Sequence, residues 1–123
     1  MILVDTSVWI DHLRRSDPAL IDALEAGQVL VHPFVVGELA CGNLGNRQEV
    51  LTLLRALPQA PVASDDETLG FIEQRQLMGR GIGYVDVHLL ASVALAGTAI
   101  LWTRDRRLGA VATDLALADR EPR

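Results

Sequence analysis

A chain of 123 residues with 50% apolar and 22% charged side chains has the composition of one globular domain, not of a disordered or fibrous segment. Its single cysteine excludes an intrachain disulfide, and the absence of CxxC or paired His spacing excludes a thiolate or zinc site. A net charge of −5, with 16 acids against 11 bases that are all arginine, argues against a simple electrostatic grip on nucleic acid and leaves no lysine to pair with a buried acid.

The run Ile2-Leu3-Val4 predicts a first strand ending at Asp5, an acid too early for a signal peptide. Helices are expected over 6–14 and 18–26, the second opened by Asp17 as N-cap and Pro18 as first helical residue. Val29-Leu30-Val31 reads as the second strand, and Pro33 opens a helix to about Gly42 that includes Cys41, read as a buried thiol. Asn46 with Glu49 and Ser64 with Glu67 carry the spacing of capped starts for helices over 47–55 and 65–79. A weak strand at Pro61-Val62-Ala63 lies between them. Gly79, Gly81 and Gly83 form a loop before a helix over 84–96. A strand over 99–103, a helix near 106–112 and a last edge strand at Leu115-Ala116-Leu117 complete the order.

Residues 87–103 carry no charge apart from a protonatable His88, but the Gly97-Thr98 break divides them into helix, turn and strand. A membrane span would need about 20 continuous apolar residues. The expectation is a cytoplasmic protein with one domain over residues 1–123. Strands alternating with helices predict an α/β fold around a parallel sheet of four or five strands.

Four acids stand out from this layout. Asp5 and Asp105 fall at or just past the carboxyl ends of two strands, where open parallel sheets bind their ligands. On a 3.6-residue period Glu38 shares a face with Phe34, Val35 and Cys41, and Asp86 with Leu89, Leu90 and Val93, so both are expected to point inward. An unpaired carboxylate in apolar surroundings loses several kcal/mol of hydration. A hard divalent cation held by oxygen ligands is the simplest compensator, and it points to phosphate chemistry. The bland alternatives are helix caps for Asp5 and Asp105, a first-turn acid for Asp86 and a distant arginine pair for Glu38.

Rival chemistries lack residues. Receiver domains and haloacid-dehalogenase-type phosphatases need a lysine, and a P-loop needs Gly-Lys-Ser/Thr. Ser7 and His88 have no nucleophile elbow to support a triad. His12, His32 and His88 read as structural. Setting the four acids aside nearly balances the rest against the arginines, so Arg80, Arg104 and Arg106 become candidate contacts to a phosphate backbone. Arg47, Arg55, Arg120 and Arg123 read as solvated surface groups. Trp9 and Leu13, at helical spacing, read as core packing or as a partner-binding groove.

Four segments, in order, carry a resemblance: Ile2-Leu3-Val4-Asp5-Thr6-Ser7-Val8-Trp9-Ile10-Asp11, Val36-Gly37-Glu38-Leu39, Tyr84-Val85-Asp86-Val87-His88-Leu89-Leu90-Ala91 and Leu101-Trp102-Thr103-Arg104-Asp105. The chain resembles the PIN-domain ribonucleases, and among them the short VapC-type toxins of toxin–antitoxin pairs. The resemblance implies a three-layer α/β/α fold and a Mg²⁺- or Mn²⁺-dependent endoribonuclease that hydrolyses RNA phosphodiester bonds with a metal-activated water. It implies Asp5, Glu38, Asp86 and Asp105 as the catalytic, metal-binding acids, with Thr6, Ser7 and Thr103 in support. It further implies a homodimer and a cognate antitoxin that covers the active-site groove, and it leaves Trp9 and Leu13 as core packing or as part of a partner-binding groove. Two other functions fit the same acids: an RNA- or protein-binding module without turnover, and a metal-dependent phosphomonoesterase.

Overall fold

The computed structural model describes residues 1–119. Three parallel strands, β1 (Ile2–Val4), β2 (Val29–Leu30) and β3 (Ile100–Trp102), form a sheet in the order β2-β1-β3. Around it stand α1 (Thr6–Arg14), α2 (Pro18–Glu25), α3 (Pro33–Ala40), α4 (Arg47–Ala56), α5 (Asp65–Arg75), α6 (Tyr84–Ala96) and α7 (Arg106–Asp114), giving a three-layer α/β/α arrangement. Helices on both faces explain why the strands are continuously apolar instead of alternating. Leu3, Val4, Leu101 and Trp102 are all buried, and Ile2 pairs with both Val29 and Ile100. Because β1 and β3 run parallel, their carboxyl ends meet at one sheet edge, where the Asp5 N–H donates to the Trp102 carbonyl at 2.9 Å.

Among the described residues the sheet has three strands rather than the four or five expected. Outside β2 there is a single bridge, Val31 with Gln59, held by Val31 N–H to the Pro58 carbonyl and Ala60 N–H to the Val31 carbonyl, both 2.9 Å. Pro58 and Pro61 flank that bridge, and proline has no N–H to extend a ladder. Outside β3, among the described residues, one bridge joins Leu101 with Ala118. Leu115, Ala116 and Leu117 donate back to carbonyls of α7 to end the helix, which leaves little of that stretch for pairing. Arg120 and Arg123, expected to be solvated surface groups, lie outside the described residues.

Helix starts follow the capping chemistry closely. Asp17 Oδ1 accepts from the Ala19 and Leu20 N–H groups, and Ser64 and Glu67 form both halves of a capping box. Asn46 does not cap: it adopts a left-handed φ of 52° and makes no side-chain bond to α4. α5 stops at Arg75, short of residue 79, because Gln76 turns left-handed at φ 54° and begins the glycine-bearing loop. Among the described residues no helix is long and apolar enough to cross a membrane.

Candidate functional site

The edge where β1 and β3 end is built from short, polar turns. Asp5 is the N-cap residue of α1, yet its side chain makes no cap bond. Its Oδ2 instead accepts two hydroxyls, Ser7 Oγ at 2.8 Å and Thr103 Oγ1 at 2.7 Å, and the residue is only 6% exposed. Thr103 Oγ1 also accepts the Asp105 N–H at 3.0 Å, so one hydroxyl links the carboxylate ending β1 to the turn leaving β3. Asp105 caps α7, its Oδ1 taking the Leu108 N–H at 2.9 Å. Asp86, in the first turn of α6, accepts the Gly83 N–H through Oδ2 at 3.1 Å. Glu38, on α3, accepts the Thr6 hydroxyl through Oε1 at 2.7 Å.

A common pattern emerges from these bonds. Each of the four acids has one oxygen fixed by a protein donor, and no hydrogen bond from the described residues reaches the other one. The cap roles of Asp86 and Asp105 are real, but each uses only half of the carboxylate. The acids also sense one another. Burial raises the Asp86 carboxyl above its ordinary value, the Gly83 N–H partly opposes this, and the charges of Asp5, Asp105 and Glu38 raise it further.

Burial differs in part from the expectation that Glu38 and Asp86 point inward. Asp5 is buried and Asp86 half-buried, whereas Glu38 and Asp105 are exposed. Of the face that Glu38 was expected to share with Phe34, Val35 and Cys41, Val35 is buried, whereas Phe34 and Glu38 are exposed and Cys41 is exposed rather than a buried thiol. Asp5 and Asp105 sit at the N-caps of α1 and α7, Asp86 in the first turn of α6 and Glu38 within α3.

Among the described residues no three His, Cys, Asp or Glu side chains close into a metal cage. The donor set nevertheless suits a hard cation, since all four candidates are carboxylates held on one oxygen by hydroxyl or backbone N–H donors that leave the other available. His88 and His32 are buried, ring against ring with Phe34 and, for His88, Tyr84. His32 Nδ1 accepts the Phe34 N–H and caps α3, a structural role as expected.

Comparison with known proteins assigns this arrangement. Residues 2–114 match the PIN domain. The chain belongs to the PIN-domain family. It is 51% identical over 118 residues to Ribonuclease VapC32 of Mycobacterium tuberculosis, covering 96% of this chain and 95% of that protein, in both strain CDC 1551 / Oshkosh and strain ATCC 25618 / H37Rv. The VapC-type resemblance carried by the four sequence segments therefore holds across nearly the whole domain.

Within this PIN domain the other predicted contacts separate. Trp9 is buried in the core at 2% exposure and offers nothing to a partner. Leu13 does line a groove, of about 450 Å³, together with Ile10, Arg14, Leu39 and Leu44, and Glu38 stands on its wall. Ile10 thus takes the place expected of Trp9, a rotation of one residue around α1. Among the arginines, Arg80 pairs with Asp114 at 2.6 Å, Arg104 pairs with Asp11 and Asp17, and Arg106 is exposed. Sequence reasoning missed Asp11 and Asp17 as part of this surround, and no local spacing signals pairs so far apart along the chain.

Proposed function

We propose that this chain is the toxin of a type II toxin–antitoxin pair and an endoribonuclease acting in the cytoplasm, with Mg²⁺ or Mn²⁺ held by Asp5, Asp86 and Asp105. Glu38 serves as a further ligand or as the base that orients the attacking water. The observation that carries this reading is the half-engaged state of all four carboxylates, each steadied on one oxygen and open on the other. The 51% identity to a protein named a ribonuclease supports the activity.

When bound, a divalent cation supplies Lewis-acid activation of water and charge stabilisation for in-line phosphodiester hydrolysis. The chain's own part is positioning. Ser7 and Thr103 fix the Asp5 carboxylate through two hydroxyls, and Thr6 fixes Glu38. Burial first, and after it the charges of Asp5, Asp105 and Glu38, raise the Asp86 carboxyl above the ordinary aspartate value, a shift that a positive charge in the site would oppose. A homodimer and a cognate antitoxin lying in the Ile10–Leu13 groove beside Glu38 complete the proposal.

The test is cleavage of RNA by purified protein with and without divalent metal, alongside Glu38→Gln. Metal-dependent cutting that falls at least about 100-fold in the variant, with RNA affinity retained, is the expected result. RNA binding without cutting would favour a binding module. Phosphate release from small monoesters without RNA cleavage would favour a phosphomonoesterase.

A further inference from the structure

Arg104 stands between two residues of the acidic edge, Thr103 and Asp105, and its charge suggests a contact to the RNA backbone. The structure gives it other partners. Nη1 donates to Asp11 Oδ2 on α1 at 2.9 Å, and Nη2 donates to Oδ2 of Asp17, the N-cap of α2, at 2.5 Å. The guanidinium carbon lies 5.6 Å from the centre of the Trp102 ring, and the backbone N–H donates to Ser7 Oγ at 3.0 Å. Ser7 Oγ in turn donates to Asp5 Oδ2. The side chain is mostly shielded, at 29% exposure, as is that of Asp17 at 15%. A phosphate approaching this guanidinium would meet two carboxylates already bound to it.

We infer that Arg104 is a positioning residue: its fork, bridging Asp11 and Asp17, clamps the β3–α7 turn against α1 and the start of α2, and so sets the spacing of Asp5 and Asp105. This inference rests on the ribonuclease reading above. A planar guanidinium can meet two acids at once, whereas a lysine ammonium acts as a single point charge. The clamp bears on the acids through two routes on the same turn. One is the Arg104 N–H to Ser7 Oγ bond; the other is Thr103 Oγ1, which touches both Asp5 and the Asp105 N–H. Holding the turn from outside leaves the open carboxylate oxygens undisturbed.

A clamp and an RNA contact predict opposite behaviour. The experiment measures kcat and KM for RNA cleavage in Arg104→Lys and Asp17→Asn, with RNA affinity in EDTA followed against salt. Asp17→Asn retains an oxygen able to cap α2 and guards against a folding defect in the first variant. As a clamp, Arg104→Lys lowers kcat by about 10- to 100-fold, the scale of a small misplacement of reacting groups. RNA affinity in EDTA and its salt slope stay as in the unaltered protein, and Asp17→Asn lowers kcat in the same direction without tightening RNA binding. As an RNA contact, Arg104→Lys weakens binding and makes the salt slope shallower, while Asp17→Asn releases the arginine and tightens binding; either result overturns the clamp. Unchanged kcat in both variants overturns it as well. Failure of the unaltered protein to cut RNA in any metal overturns the ribonuclease reading itself, which the other outcomes leave standing.

Discussion

Removing the charge of Asp86 should make the metal-free protein more stable. In Asp86→Asn the side-chain oxygen that accepts the Gly83 N–H is kept, while the charge opposed by burial and by Asp5, Asp105 and Glu38 is lost. The residue is half-buried, so solvent screening holds the relief to roughly 0.5–1 kcal/mol, the scale of a screened charge interaction. For a domain of this size that corresponds to a rise in Tm of roughly 2–6 °C. The pH dependence fixes the sign independently. Asp86 is raised above 3.8 in the folded state, so its ionised form works against folding above that raised value, and the penalty disappears as pH falls below 3.8. The stabilisation by asparagine should therefore be full at pH 7.5 and shrink toward pH 4. The assay is thermal unfolding in EDTA across that range, repeated with Mn²⁺ at pH 7.5, where binding to the folded state should raise the Tm of the unaltered protein more than that of the variant. A variant less stable than the unaltered protein in EDTA at pH 7.5, or equally stabilised by Mn²⁺, would refute the argument.

The hydroxyl network makes a second prediction: Thr103→Val, which keeps the shape and removes the bonds to Asp5 and the Asp105 N–H, should lower stability by about 1–3 kcal/mol and reduce RNA cleavage, read by urea unfolding and initial rates. His32 is fully buried and held down to about pKa 4, by burial first and by His88 second. Since unfolded histidine protonates near 6.5, stability is lost as pH falls from 6.5 toward 4, by about 3 kcal/mol for this residue. His32→Asn, which retains a capping side chain, should flatten that part of the stability–pH curve in urea titrations. In the groove, Leu13→Glu places a charge on an apolar wall beside Glu38 and should weaken binding of the cognate antitoxin at least tenfold by calorimetry while leaving the fold intact.

What the sequence made legible was mostly local. Proline and capping signals located α2, α3 and α5 at their starts because the chemistry of a helix N-terminus is written within three or four residues. The four acids could be found one by one from strand ends and helix faces, and the structure shows Asp86 electrostatically linked to the other three. Periodicity grouped Glu38 with Phe34, Val35 and Cys41 but could not say where core gives way to solvent: Val35 is buried and the other three are exposed. Of the two readings left open for Trp9, burial selects core packing, while Ile10 and Leu13 line the groove. Edge strands were overestimated because propensity ignores competing bonds: Pro58 and Pro61 cannot donate, and Leu115 to Leu117 are drawn back to finish α7. The Arg104 pairs join residues 93 and 87 positions apart, beyond any local pattern.

The central claim is that the four half-engaged carboxylates form a metal-dependent ribonuclease site. Its most direct test is cleavage of a mixed RNA pool by purified, antitoxin-free protein in Mg²⁺, Mn²⁺ or EDTA, with Asp5→Asn alongside. The account predicts cutting in the presence of metal that EDTA abolishes and Asp5→Asn removes. Cutting that survives EDTA, or that persists undiminished in Asp5→Asn, would contradict it.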